Sequence, residues 1–156
     1  MSLENLMGDL KNGIGMARVN AAAELGKLKD KRAEKALIEA LKDKNMAVRN
    51  NAAFALGELG SRTAAPQLME LLQAPEERVR KSAVKALGMI GAREAVDPLI
   101  HLLDSDDSRI VKKSAIRSLG QIGGQKSLRA VEPFLASPDA ILADTAKKAV
   151  AMASKK

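Results

Sequence analysis

The chain has 156 residues, a net charge of +7 and 46% apolar residues, with two Phe, no Trp or Tyr and no Cys. The length suits one domain with a real core, an Ala- and Leu-rich composition favours helix over strand, and the missing Cys exclude disulfides, thiolate zinc sites and iron–sulfur clusters. No apolar run reaches the about 18 residues of a bilayer span and the N-terminus shows no secretory signal, so a soluble, cytoplasmic protein is expected.

Leu3, Leu6, Met7 and Leu10 keep helical spacing and predict a capping helix within residues 1–13. Four two-helix units then follow over 14–45, 46–76, 77–107 and 108–139, and Leu142, Ala146, Ala149 and Val150 predict a closing helix within 140–156. The units are copies of one segment. Ala47–Gly60 returns as Arg78–Gly91, with weaker copies from Ala17, Ile110 and Ile141. Leu25, Leu56, Leu87, Leu119 and Val150 mark one slot at spacings of 31, 31, 32 and 31 residues. A fixed period of this length signals a repeat array, and an all-α solenoid of about ten helices is expected.

Within a unit, Val48, Ala52, Ala55, Leu56 and Leu59 form the apolar stripe of a first helix. Gly57 with Gly60, Gly88 with Gly91, and Gly120 with Gly123 read as stops closing these first helices. Leu37 and Leu41, Leu68 and Leu72, and Leu99 and Leu103 give the second helices their buried face, and Pro66 and Pro98 fall in first turns, where a missing N–H is harmless. Asp and Ser in the loops between units can cap the next helix. Two registers fit the fourth second helix. One aligns Val131, Phe134 and Leu135 with Leu99, Leu102 and Leu103 and puts Pro133 inside a helix; the other matches Ala130–Pro133 to Ala95–Pro98. A mid-helix proline costs about 3 kcal/mol, which favours the second.

The pattern Val-Arg-x-x-Ala-Ala/Val-x-Ala-Leu-Gly-x-Leu/Ile-Gly, followed by Ala-Val-Asp-Pro-Leu-Ile, resembles the HEAT-like repeats of phycobilisome lyases over nearly the whole chain. The resemblance implies a right-handed superhelix with first helices on its convex side and second helices lining its concave side. It also implies structural roles for Arg18, Arg49, Arg80 and the aligned Lys112, near the start of each first helix. Proteins with such repeats include bilin lyase subunits, deoxyhypusine hydroxylase and many proteins that only bind others.

Catalytic signals are poor. Deoxyhypusine hydroxylase holds iron through His-Glu pairs, whereas the lone His101 is followed by Leu102, and a single histidine cannot supply converging ligands. Gly120–Ser127 resembles a phosphate-binding Gly-x4-Gly-Lys-Ser loop, but Gln125 replaces the second Gly and no strand precedes it. A Ser–His triad would have to use His101, with no nucleophile elbow to go with it. No enzyme, no cofactor and no metal are expected.

A partner protein is expected instead, on the second-helix face. Glu34, Ile38 and Glu39, then Met69, Glu70 and Gln73, then Asp97, Ile100, His101 and Asp104 form a mildly acidic surface with Ile38, Met69 and Ile100 along its centre. Such a column reads either as secondary core or as an apolar groove for a partner. The alternative surface is basic. Lys85, Arg117 and Lys148 share one first-helix position and Lys81 and Lys113 another, suited to nucleic acid or an acidic partner. Absent Trp and Tyr disfavour single strands, while duplex binding would need only Lys and Arg. Phe54 shares the register of Lys85 as a candidate anchor. An accessory role like that of bilin lyase components is a further alternative. A monomer is expected, with no membrane partner.

Overall fold

In the computed structural model, which describes residues Met1–Lys156, ten α-helices follow one another without a strand. They are α1 (Leu3–Asn12), α2 (Met16–Leu28), α3 (Glu34–Ala40), α4 (Met46–Leu59), α5 (Ala65–Glu70), α6 (Glu77–Ile90), α7 (Val96–Ser105), α8 (Arg109–Ile122), α9 (Gln125–Val131) and α10 (Ala140–Ala153). Short 3-10 turns lead into α3, α5 and α7. The first helices α2, α4, α6, α8 and α10 stack in one layer, and α1, α3, α5, α7 and α9 cover them as a second. The molecule is an all-α solenoid.

Local chemistry sets the helix starts. Ser2, Asn45, Ser108 and Asp139 each accept a hydrogen bond from a first-turn N–H of the helix that follows, satisfying donors that no earlier carbonyl can reach. Helix α6 starts at Glu76 without such a side-chain cap. The core between the layers is leucine. Leu25, Leu37, Leu56, Leu68, Leu87, Leu99 and Leu119 are wholly buried, each contributing about 1.5–3 kcal/mol relative to exposure.

The paired glycines divide the work differently from two consecutive stops. Gly60 and Gly91 end α4 and α6 in the left-handed region, at φ 65° and 72°, which glycine adopts without steric cost. Gly57, Gly88 and Gly120 instead lie inside their helices and are buried where neighbouring first helices cross. A Cβ on Gly57 would sit 2.9 Å from Ala86 Cα, and one on Gly120 would sit 2.7 Å from Ala149 Cα. Gly26 approaches Ala55, and Gly88 approaches Ser118, in the same way. Backbones that touch like this put the helices at the short end of the usual ~8–10 Å spacing. The second helices are shorter and touch one another sparsely. The first-helix layer is therefore the more closely packed of the two.

The fourth unit follows the register that places proline within a helical stretch. Val131 is wholly buried like Leu99, and Ser127 takes the fully buried slot held by Ala33, Ala64 and Ala95. Alignment with Ala95–Pro98 is therefore not the one adopted. The chain accommodates Pro133 by ending α9 at Val131 and tightening to a 3-10 helix over Glu132–Ala136, so the missing N–H falls outside the α-helical ladder.

Candidate functional site

The arginines near the first-helix starts form a ladder to the following loops. Arg18 pairs with Asp43 at 2.9 Å, Arg49 with Glu76 at 2.6 Å, Arg80 with Asp106 at 2.8 Å and Arg109 with Asp139 at 2.6 Å. Lys112, which aligns with this series in sequence, pairs with no carboxylate; Arg109, three residues earlier, makes the bond. Arg80 also donates to the carbonyls of Ala74 and Pro75, so one guanidinium fork closes a turn and bridges two units. These residues clamp consecutive repeats, and the ladder holds both candidate faces in place.

On the second-helix face, α3, α5 and α7 bring the column Ile38, Met69 and Ile100 into line, each partly buried and packed against the core. Around it Glu39, Glu70, Gln73, His101 and Asp104 are exposed. Two of its carboxylates have partners: Glu34 accepts a hydrogen bond from the Ser61 hydroxyl, and exposed Asp97 pairs with Lys126 at 2.6 Å. The centre of this face is thus shared with the interior, and its rim is solvated acid.

The first-helix face is arranged the other way. Phe54 on α4 is 47% exposed and Met89 on α6 is 40% exposed. With Lys85, Arg117, Ser118, Gln121 and Glu58 they line a cleft of about 330 Å³. Lys81 and Lys85 lie one turn apart on α6, as do Lys113 and Arg117 on α8. None of these four cations lies within 4.0 Å of a carboxylate. Lys148 on α10 differs, pairing with Asp144 at 3.0 Å. Partial burial, followed by the charges of Lys81, Arg117 and Lys113, pushes the Lys85 ammonium below the ordinary lysine range. The structure therefore gathers the five basic residues named from sequence onto one layer, but four of them are unpaired and one is not.

Phe54 is exposed rather than folded onto a neighbour. Met89 is not among the residues expected on this face, although the period marks it: it repeats the outward position of Glu58 one period later. Glu58 itself turns to Lys29 at 3.0 Å. His101 stands exposed on α7, and nowhere do three His, Cys, Asp or Glu side chains converge as a metal ion would require. The loop Gly120–Ser127 is a helix–turn–helix connection, in which Gly120 packs inside α8 and the Ser127 hydroxyl is buried without a hydrogen-bond partner. No helix is long and apolar enough to cross a membrane.

Known proteins share this architecture. One chain from the complex of CpcE and CpcF of phycocyanin lyase from Nostoc sp. PCC7120 superposes with a TM-score of 0.89 at 30% identity, over 100% of this chain and 66% of that one. A designed armadillo repeat protein in complex with the peptide (KR)4 gives 0.74 at 22% identity, over 97% of this chain and 81% of that one. Human deoxyhypusine hydroxylase gives 0.61 at 17% identity, over 99% and 74%, and these last two share the fold alone. No protein of curated function matches at significant similarity. The HEAT repeat family matches over residues 15–88 and 66–151. With those matches laid over stacked helical hairpins and their arginine clamps, the chain belongs to the HEAT repeat family.

Proposed function

We propose that this protein acts by binding another protein rather than by catalysis, and that the partner sits on the first-helix face around Phe54 and Met89. The supporting observation is the pairing of two exposed apolar side chains with four cations that have no carboxylate of their own. A half-exposed Phe beside unpaired charge suits a contact whose centre is apolar and whose rim is electrostatic. The second-helix face is the weaker candidate, because Ile38, Met69 and Ile100 already spend much of their surface on the core.

Affinity capture from the native lysate tests this choice of face with three proteins: wild type, Phe54→Ser with Met89→Ser, and Met69→Asp with Ile100→Asp. Loss of the specific partner only in the first double variant is expected. Loss only in the second would move the site to the other layer. A second reading rests on the likeness to a chain of the phycocyanin lyase complex at 30% identity. In it the protein is an accessory subunit of a lyase-type assembly, and mixing it with bilin should shift the pigment's visible absorbance. An unchanged spectrum would remove that reading.

A further inference from the structure

The surface around Phe54 is polarised along the stack, and the polarity specifies a class of partner. One outward slot is filled in successive repeats by Ala23, Phe54, Lys85, Arg117 and Lys148. It is apolar in the first two and cationic in the last three. The slot one turn earlier adds Lys81 and Lys113 but ends at Asp144, which neutralises Lys148. Within these two slots, unpaired positive charge therefore lies on α6 and α8, beside the apolar cleft. Residues four apart on a helix lie ~6 Å apart along its axis, and adjacent helices ~8–10 Å apart, so these cations form a compact array about one turn deep and one helix spacing wide. A duplex would call for a longer basic stripe without an apolar anchor.

Resting on the first-helix reading, we propose that the partner presents an acidic peptide segment with an apolar anchor. The anchor fills the cleft between Phe54 and Met89, and Asp or Glu residues meet Lys85, Arg117, Lys81 and Lys113. An extended chain advances ~3.3 Å per residue, so a segment crossing the helices moves one repeat for about every three residues. Its pattern is one large apolar residue followed by acids about three and six positions later. The array gains twice from such a ligand: the acids relieve the mutual repulsion of four neighbouring cations, and the anchor covers exposed ring and thioether.

Fluorescence anisotropy with a labelled synthetic peptide, one Leu leading into a Glu-rich stretch, reads this out on the full chain. Saturable binding should weaken about tenfold or more for Lys85→Glu with Arg117→Glu, and about tenfold for Phe54→Ser or for a peptide with Ser in place of Leu. Both variants alter exposed or half-exposed side chains, and circular dichroism verifies that they fold. Binding indifferent to charge reversal, or a short DNA duplex that binds more tightly than the peptide, would overturn the proposal. If the peptide fails while capture of the native partner still depends on Phe54, the acidic class is wrong and the face stands; if both fail, the face is wrong as well.

Discussion

Adding one methyl group at Gly120 separates the roles of the buried glycines from ordinary helix propensity. In Gly120→Ala the new Cβ would lie 2.7 Å from Ala149 Cα, 2.8 Å from its Cβ and 3.0 Å from its carbonyl oxygen. These are backbone or rigid atoms, so relief requires α8 and α10 to part by roughly 0.7 Å to reach ordinary carbon–carbon contact. Overpacking of this kind costs about 1–3 kcal/mol, while alanine regains about 1 kcal/mol of helix propensity over glycine. Because backbone must move, the cost falls toward the upper end and the net loss is about 2 kcal/mol. For a chain of this size that lowers Tm by roughly 4–8 °C. Gly8→Ala is the matched control: it lies in α1 with nothing within 4 Å of its new Cβ, and should gain up to about 1 kcal/mol. Thermal and urea unfolding followed by circular dichroism compare the two. If Gly120→Ala were as stable as wild type, the close approach of first helices would not limit the packing, and the argument for a tighter first-helix layer would go with it.

Removing single clamps gives further outcomes. Arg80→Ala strands the nearly buried carboxylate of Asp106, whose side chain is 5% exposed, and should cost about 3 kcal/mol; the exposed Arg32, paired with Asp30, should change urea unfolding imperceptibly when replaced by Ala. Ser127→Ala removes a buried hydroxyl without a partner from a slot filled by alanine in three other repeats, and should raise stability by about 1 kcal/mol; a loss would mean that the hydroxyl is satisfied in solution. The ladder also predicts acid sensitivity. The hydrogen bond from Arg49 lowers the Glu76 carboxyl below its ordinary range, and that from Arg109 does the same for Asp139. Burial works to raise Asp43, but its bonds from Arg18 and the Asn45 N–H outweigh it, leaving that carboxyl lowered too. Groups with depressed folded values contribute fully above the unfolded carboxylate range of about 4 and lose that contribution as pH falls through the lowered values. Tm should therefore hold steady from neutral pH to about 5 and decline below about 4, less steeply in Arg49→Gln; a Tm that rises on acidification would contradict the ladder.

Period, helix count and the leucine layer were legible in the residues themselves, because a repeat must bury the same slots in every copy. Leu25, Leu56, Leu87 and Leu119 recur at nearly constant spacing and are wholly buried. What the residues could not reveal was distance between helices. Gly57 reads as a stop until Ala86 is seen against it, and Lys112 reads as a clamp until Arg109 is seen to reach Asp139. The fourth register was decided by the burial of Val131 against its neighbours, which outweighed proline's helix-breaking tendency once the backbone tightened to 3-10 geometry. The same holds for the two faces. Periodicity says that Ile38 and Phe54 each occupy a fixed side of a helix, but only the packing of adjacent repeats leaves one half covered and the other in solvent. A helix's own sequence determines which residues share a side; the separation of its neighbours, set here by glycine meeting alanine, decides which sides remain open to a partner.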